Sequence, residues 1–70
     1  METIKITTEF IKLEALLKYA AVTGTGGEAK LVIAEGMVKV NDEVCTQRGK
    51  KIYPDDTVKF EHNVLKVAKA

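Results

Sequence analysis

The side chains able to do covalent or metal chemistry are few. Cys45 is the only cysteine and His62 the only histidine among 70 residues, which leaves no internal disulfide and no Cys–His zinc set. The two fall in different strand-and-turn segments, so a nucleophile–base pair is not expected from them. Asp55-Asp56 offers two carboxylates, but directly after Pro54 the pair reads as turn chemistry. Neither a G-x-x-x-x-G-K-[ST] nor a G-x-G-x-x-G run occurs, so the common nucleotide-binding loops are absent. A chain of this length has little room for a substrate pocket. No catalytic residue, metal or cofactor is expected.

What remains is cationic. Thr25-Gly26-Gly27 precedes Glu28-Ala29-Lys30, and bare glycine amides at a helix start allow an anion close approach. Lys12 and Lys30 flank that point if the two helices pack as an antiparallel or angled pair, giving two cations and a helix start for a phosphate backbone. Arg48, Lys50 and Lys51, spaced by Gly49, form the densest basic run. Arginine there can grip phosphate or a guanine edge with two bonds, while lysine acts as a point charge. Each feature also has a plainer reading: Thr25 as a helix cap, Lys12 and Lys30 as solvated lysines, and residues 48–51 as a charged loop that discourages edge pairing. Lys66 and Lys69 are expected to matter little. The formal net charge is only +1, so any nucleic-acid binding must rest on a local patch.

The elements that position these residues follow from periodicity. Thr3-Ile4-Lys5-Ile6-Thr7 alternates as a strand, with Ile4 and Ile6 inward. Thr7 or Thr8 then caps a helix from Phe10 to Ala21, whose Leu13, Leu16, Leu17 and Ala20 lie on one face. Lys12, Glu14 and Lys18 are expected in solvent. Thr25 followed by Glu28 is a capping-box signature for a second helix that stops at Gly36.

After Gly36 the period changes to two. Val38, Val40 and Val44 surround Asn41-Asp42-Glu43, where a three-residue loop pairs Val40 with Val44 and a two-residue Asn41-Asp42 turn sets Lys39 opposite Val44. The longer loop is the preferred reading. Pro54 suits the second position of a turn. A turn at His62-Asn63 sets Phe60 opposite Leu65 and Val58 opposite Val67, all four on one face. Phe60 is then core, with Phe10 packed near it, and no interleaved run of exposed aromatics is expected for stacking on single-stranded bases. With 46% hydrophobic and 30% charged residues and no long apolar tract, residues 1–70 read as one α+β domain, two helices on one face of a small, mainly antiparallel sheet.

The stretch from Ile11 to Phe60, about seventy percent of the chain, resembles the S-four (ribosomal small-subunit protein four) type RNA-binding domain. The matching residues are Lys12-Leu13-Glu14, where that family usually has Arg-Leu-Asp, Glu28-Ala29-Lys30 with Ile33, Gly36-Met37-Val38-Lys39-Val40-Asn41, and Asp56 before Val58 to Phe60. Gly-Gly-Glu-Ala-Lys at the second helix is similar to short bacterial proteins made of this domain alone. Three positions depart from the pattern: Gly26 stands where an arginine is usual, and Asp42 and Asp55 stand where glycines are usual.

The resemblance implies an alpha-L RNA-binding fold that presents its two-helix surface to structured RNA, ribosomal or transfer RNA. Lys12, Thr25, Gly26, Gly27 and Lys30 would make the contacts, by phosphate position and shape, and the basic loop of Arg48, Lys50 and Lys51 would join them on the strength of its charge. The implied protein is a cytoplasmic monomer, without membrane attachment or enzymatic activity, and possible partners include the ribosome. A protein-interaction adaptor without direct RNA contact is the alternative.

Overall fold

Alternating apolar residues and well-formed caps divide the chain into nine short elements. The computed structural model describes residues 1–70, in the order β1 (Glu2–Ile6), β2 (Ile11–Lys12), α1 (Leu13–Tyr19), α2 (Gly26–Ala34), β3 (Val38–Val40), β4 (Glu43–Val44), β5 (Lys51–Ile52), β6 (Thr57–Phe60) and β7 (Asn63–Lys69). Five strands form one sheet in the order β1-β7-β6-β3-β4, and β2 with β5 forms a separate ribbon. The β1–β7 pair is parallel and every other pair antiparallel. This is the expected α+β architecture. Fifteen buried hydrophobic residues form a single cluster, in which Leu13, Leu16, Leu17, Ala29, Val32 and Ile33 of the helices meet the inward side chains of the sheet.

Both helices end alike, but at different cost. After α2, the Gly36 N–H reaches the Ile33 carbonyl and the Met37 N–H reaches that of Val32, at 3.0 and 3.1 Å. After α1, Ala21 and Val22 bond Lys18 and Leu17 in the same way, at 3.0 and 3.1 Å. The left-handed position is Gly36 in one case (φ 74) and Ala21 in the other (φ 59). Glycine adopts it freely, whereas a Cβ there costs about 1 kcal/mol.

Four local expectations change. Helix α1 begins at Leu13, because Ile11 and Lys12 are extended and paired with Ile52 and Lys51. Thr8 does not cap it; its hydroxyl donates to the Phe10 carbonyl at 2.8 Å. Glu14 is half-buried, with Oε2 shielded from solvent and lacking a hydrogen-bond partner. Phe10 packs on Tyr53, ring centroids 5.8 Å apart, and not on Phe60.

Both hairpin registers differ as well. Lys39 pairs with Val44 and Val40 with Glu43, so the turn is the two-residue Asn41-Asp42, with both φ values positive at 50 and 70. Mirror-image turns of this kind match the twist of the strands, and Asn and Asp tolerate their left-handed backbone better than most residues. Val44 consequently faces outward. In the last hairpin Phe60 pairs with Asn63 and Val58 with Leu65, around a Glu61-His62 turn whose Glu61 has φ 55. A register shift of two leaves each side chain on its original face, so alternation alone cannot separate the two pairings.

Candidate functional site

The β2–β5 ribbon gathers half of the residues expected to touch RNA. Ile11 and Ile52 pair across it on the core side, and Lys12 and Lys51 pair next to them. Side chains alternate between faces, so the two lysines share the outer face. The start of α1 is tied to the same segment: the Leu13 N–H donates to the Lys50 carbonyl at 2.9 Å and the Glu14 N–H to the Arg48 carbonyl at 3.1 Å. These bonds replace a side-chain cap, which α1 lacks, and satisfy helix-start donors that would otherwise be orphaned. They also fix Arg48, Lys50 and Lys51, all exposed, beside exposed Lys12. Side-chain carboxylates bond none of these four cations.

Aromatic rings border the lysines. The Lys51 ammonium lies over the Phe10 ring, 4.9 Å from its centroid, a cation–π contact. Tyr53, beside Phe10, is 41% exposed, and Tyr19 is 67% exposed. Tyr53 is thus an exposed ring beside the basic residues, though not part of an interleaved run of them. Its partner Phe10 lies one position beyond the paired Ile11 and Ile52, a juxtaposition created by the ribbon. The sequence signal was the mirrored order of Ile11-Lys12 and Lys51-Ile52, too short to read as strands.

Tyr53 is held by a polar clasp. Asp56 accepts the Tyr53 N–H at 2.8 Å and the Asn41 side-chain amide N–H at 3.0 Å, while the Asn41 side-chain Oδ1 accepts the Thr57 N–H at 2.9 Å. Pro54 and Asp55 form the tight turn between them, closed by the Asp56 N–H on the Tyr53 carbonyl at 3.0 Å. Asp55 has φ 79, so this position and Asp42 both take the backbone conformation that glycine adopts most readily. An open groove of about 480 Å³ runs along the clasp, lined in part by Asn41, Cys45, Lys50, Lys51, Tyr53 and Asp56.

The start of α2 is built differently. Thr25 Oγ1 accepts the Glu28 N–H at 3.1 Å, and the Glu28 carboxylate accepts the Gly24 N–H at 3.1 Å. Gly26 and Gly27, at the first two helical positions, have no intrahelical acceptor for their N–H groups. A Cβ at Gly26 would meet no atom within 4 Å. Lys30 is exposed on this helix. Lys12 lies at the N-terminal end of α1, whereas the Thr25 cap follows its C-terminal end. The ribbon thus joins Lys12 to Lys51, and no hydrogen bond or strand pairing joins it to Lys30.

The S4 domain family model matches residues 4–68, wider than the Ile11–Phe60 stretch and including most of β1 and β7. "Probable ribosome maturation protein RlbA" of Bacillus subtilis (strain 168) is 47% identical over 58 residues, covering 83% of this chain and 82% of that protein. "Putative RNA-binding protein YbcJ" of Escherichia coli (strain K12) is 42% identical over 59 residues, covering 83% of this chain and 84% of that protein. With the family pattern running through both helices and both ends of the five-stranded sheet, the chain belongs to the S4 domain family.

Proposed function

We propose that this protein binds structured RNA, ribosomal or transfer RNA, through phosphate and shape contacts, and that it acts by binding and not by catalysis. The pairing of Lys12 with Lys51 carries the reading. Like charges directly opposite one another destabilise a strand pair, so such a pair is explicable where a polyanion neutralises it. Arg48 and Lys50 extend the cationic surface, and Thr25, Gly26, Gly27 and Lys30 form a second contact at the start of α2. The E. coli relative named for RNA binding and the B. subtilis relative named for ribosome maturation support an RNA or ribosomal partner. A cytoplasmic site of action and a single-copy mode of binding go with this reading.

An adaptor role draws instead on exposed apolar residues, among them Leu31 and Val44. Salt separates the two. If three to five phosphates are contacted, log affinity for a folded RNA hairpin falls with log salt at a slope of about −2 to −5. Failure to retain structured RNA at low salt removes the proposal.

A further inference from the structure

The strand register produces a second cationic surface on the face of the five-stranded sheet turned away from the helices. Lys39 pairs with Lys59 across β3 and β6, and Lys59 with Val64 of β7. Lys66 lies two residues beyond Val64 and pairs with Thr57 on one side and Thr3 on the other. Lys5 lies two residues beyond Thr3 and pairs with Ala68. Directly opposed residues are about 5 Å apart and diagonal ones about 7–8 Å. Lys39, Lys59, Lys66 and Lys5 therefore form one diagonal stripe across four adjacent strands. All four are exposed.

The residues between them are Thr3, Thr57, Val64 and Ala68, none of them charged. The one carboxylate touching the stripe is Asp42, from the neighbouring turn, 3.0 Å from the Lys59 ammonium. In a chain of net charge +1, this concentration leaves the acids elsewhere. The face also repeats the unfavourable feature of the ribbon, two lysines directly opposed in a strand pair. The two lysines expected from sequence to be silent part company here: Lys66 stands in the stripe, while Lys69 pairs with Ile6 and follows the inward register.

Resting on the RNA-binding reading above, we propose that this sheet face is a second RNA-binding surface, engaging a phosphate backbone across the sheet from the core that the ribbon closes. A row of point charges without hydrogen-bonding forks or exposed rings suits phosphates more than base edges.

The test uses the full chain and a folded RNA hairpin, with salt titrations of Lys39→Gln/Lys66→Gln and of Lys12→Gln/Lys51→Gln. The sheet pair is expected to reduce the magnitude of the salt slope by about 1.4–1.8, or 0.7–0.9 for each phosphate no longer neutralised, and to weaken binding several-fold at low salt. Lys39→Glu supplies an independent check, because a glutamate opposite Lys59 favours the sheet. It should raise the melting temperature while lowering RNA affinity, opposite signs that a merely structural role does not produce. Unchanged slope and affinity in the sheet pair, with weaker binding in the ribbon pair, overturn the sheet surface and leave the ribbon reading standing. No retention of the hairpin by the unaltered protein overturns both. Weaker binding confined to the sheet pair upholds this surface and removes the ribbon.

Discussion

The two ends of α1 lead to two anion-attracting regions of opposite construction. At its N-terminal end the ribbon supplies side-chain cations, Lys12 opposite Lys51 with Lys50 and Arg48 tied to the helix start by backbone bonds. Beyond its C-terminal end, α2 supplies backbone amides, but Thr25 and Glu28 already occupy part of that helix start. The Glu28 carboxylate also places a negative charge where a phosphate would approach. Side-chain charge acts over roughly a Debye length of 8–10 Å at moderate salt, whereas amides act only at hydrogen-bonding distance. On the proposed RNA-binding reading, the difference would give most of the binding strength to the ribbon and a positioning role to α2.

Charge reversal should give the largest separation. Lys12→Glu/Lys51→Glu is expected to weaken binding of an RNA hairpin on the order of a hundredfold at low salt, since two counterion-releasing contacts become repulsive. Lys30→Glu should cost under tenfold. Filter-binding titrations compare them directly, and equal effects would collapse the distinction between the regions.

The next effect concerns the clasp that fixes Tyr53 at the ribbon. Asn41→Ala removes two side-chain hydrogen bonds and puts alanine at a φ of 50. Together these changes should lower unfolding stability by about 2–3 kcal/mol. Urea melts measure that decrease, and RNA affinity should fall with it, through the ribbon, under conditions where the variant remains folded.

The smallest expected effect is a gain. Gly26→Arg restores the family's usual arginine at a position with open space around it. It should tighten RNA binding several-fold and steepen the salt slope by about 0.7–0.9. No change in slope would mean that the start of α2 does not face phosphate.

Much of the local structure was legible in the residues. Thr25 caps α2 at the Glu28 N–H as the spacing suggested, the Glu28 carboxylate reaches back to the Gly24 N–H, one residue before the cap, and Gly36 ends α2 in the left-handed position. Ile4, Ile6, Val58 and Val67 take the inward face that alternation assigned. Asp42 and Asp55, departures from the family's glycines, take the left-handed backbone that glycine adopts most readily, at φ 70 and 79. Ala21 was less legible: its sequence carries no helix-stop residue, yet it takes the role that Gly36 plays after α2.

The residues fixed by themselves what depends on near neighbours: the cap and stop of α2, its extent, and the alternation of the strands. Tertiary structure decided what depends on partners distant in sequence. Ile11 and Lys12 could join α1 or extend, and only Lys51 and Ile52 resolve the choice. Likewise, four lysines scattered from position 5 to position 66 become one stripe only when four strands align in this register. Periodicity assigns a side chain to a face; hydrogen-bonded register alone determines which side chains on that face are neighbours.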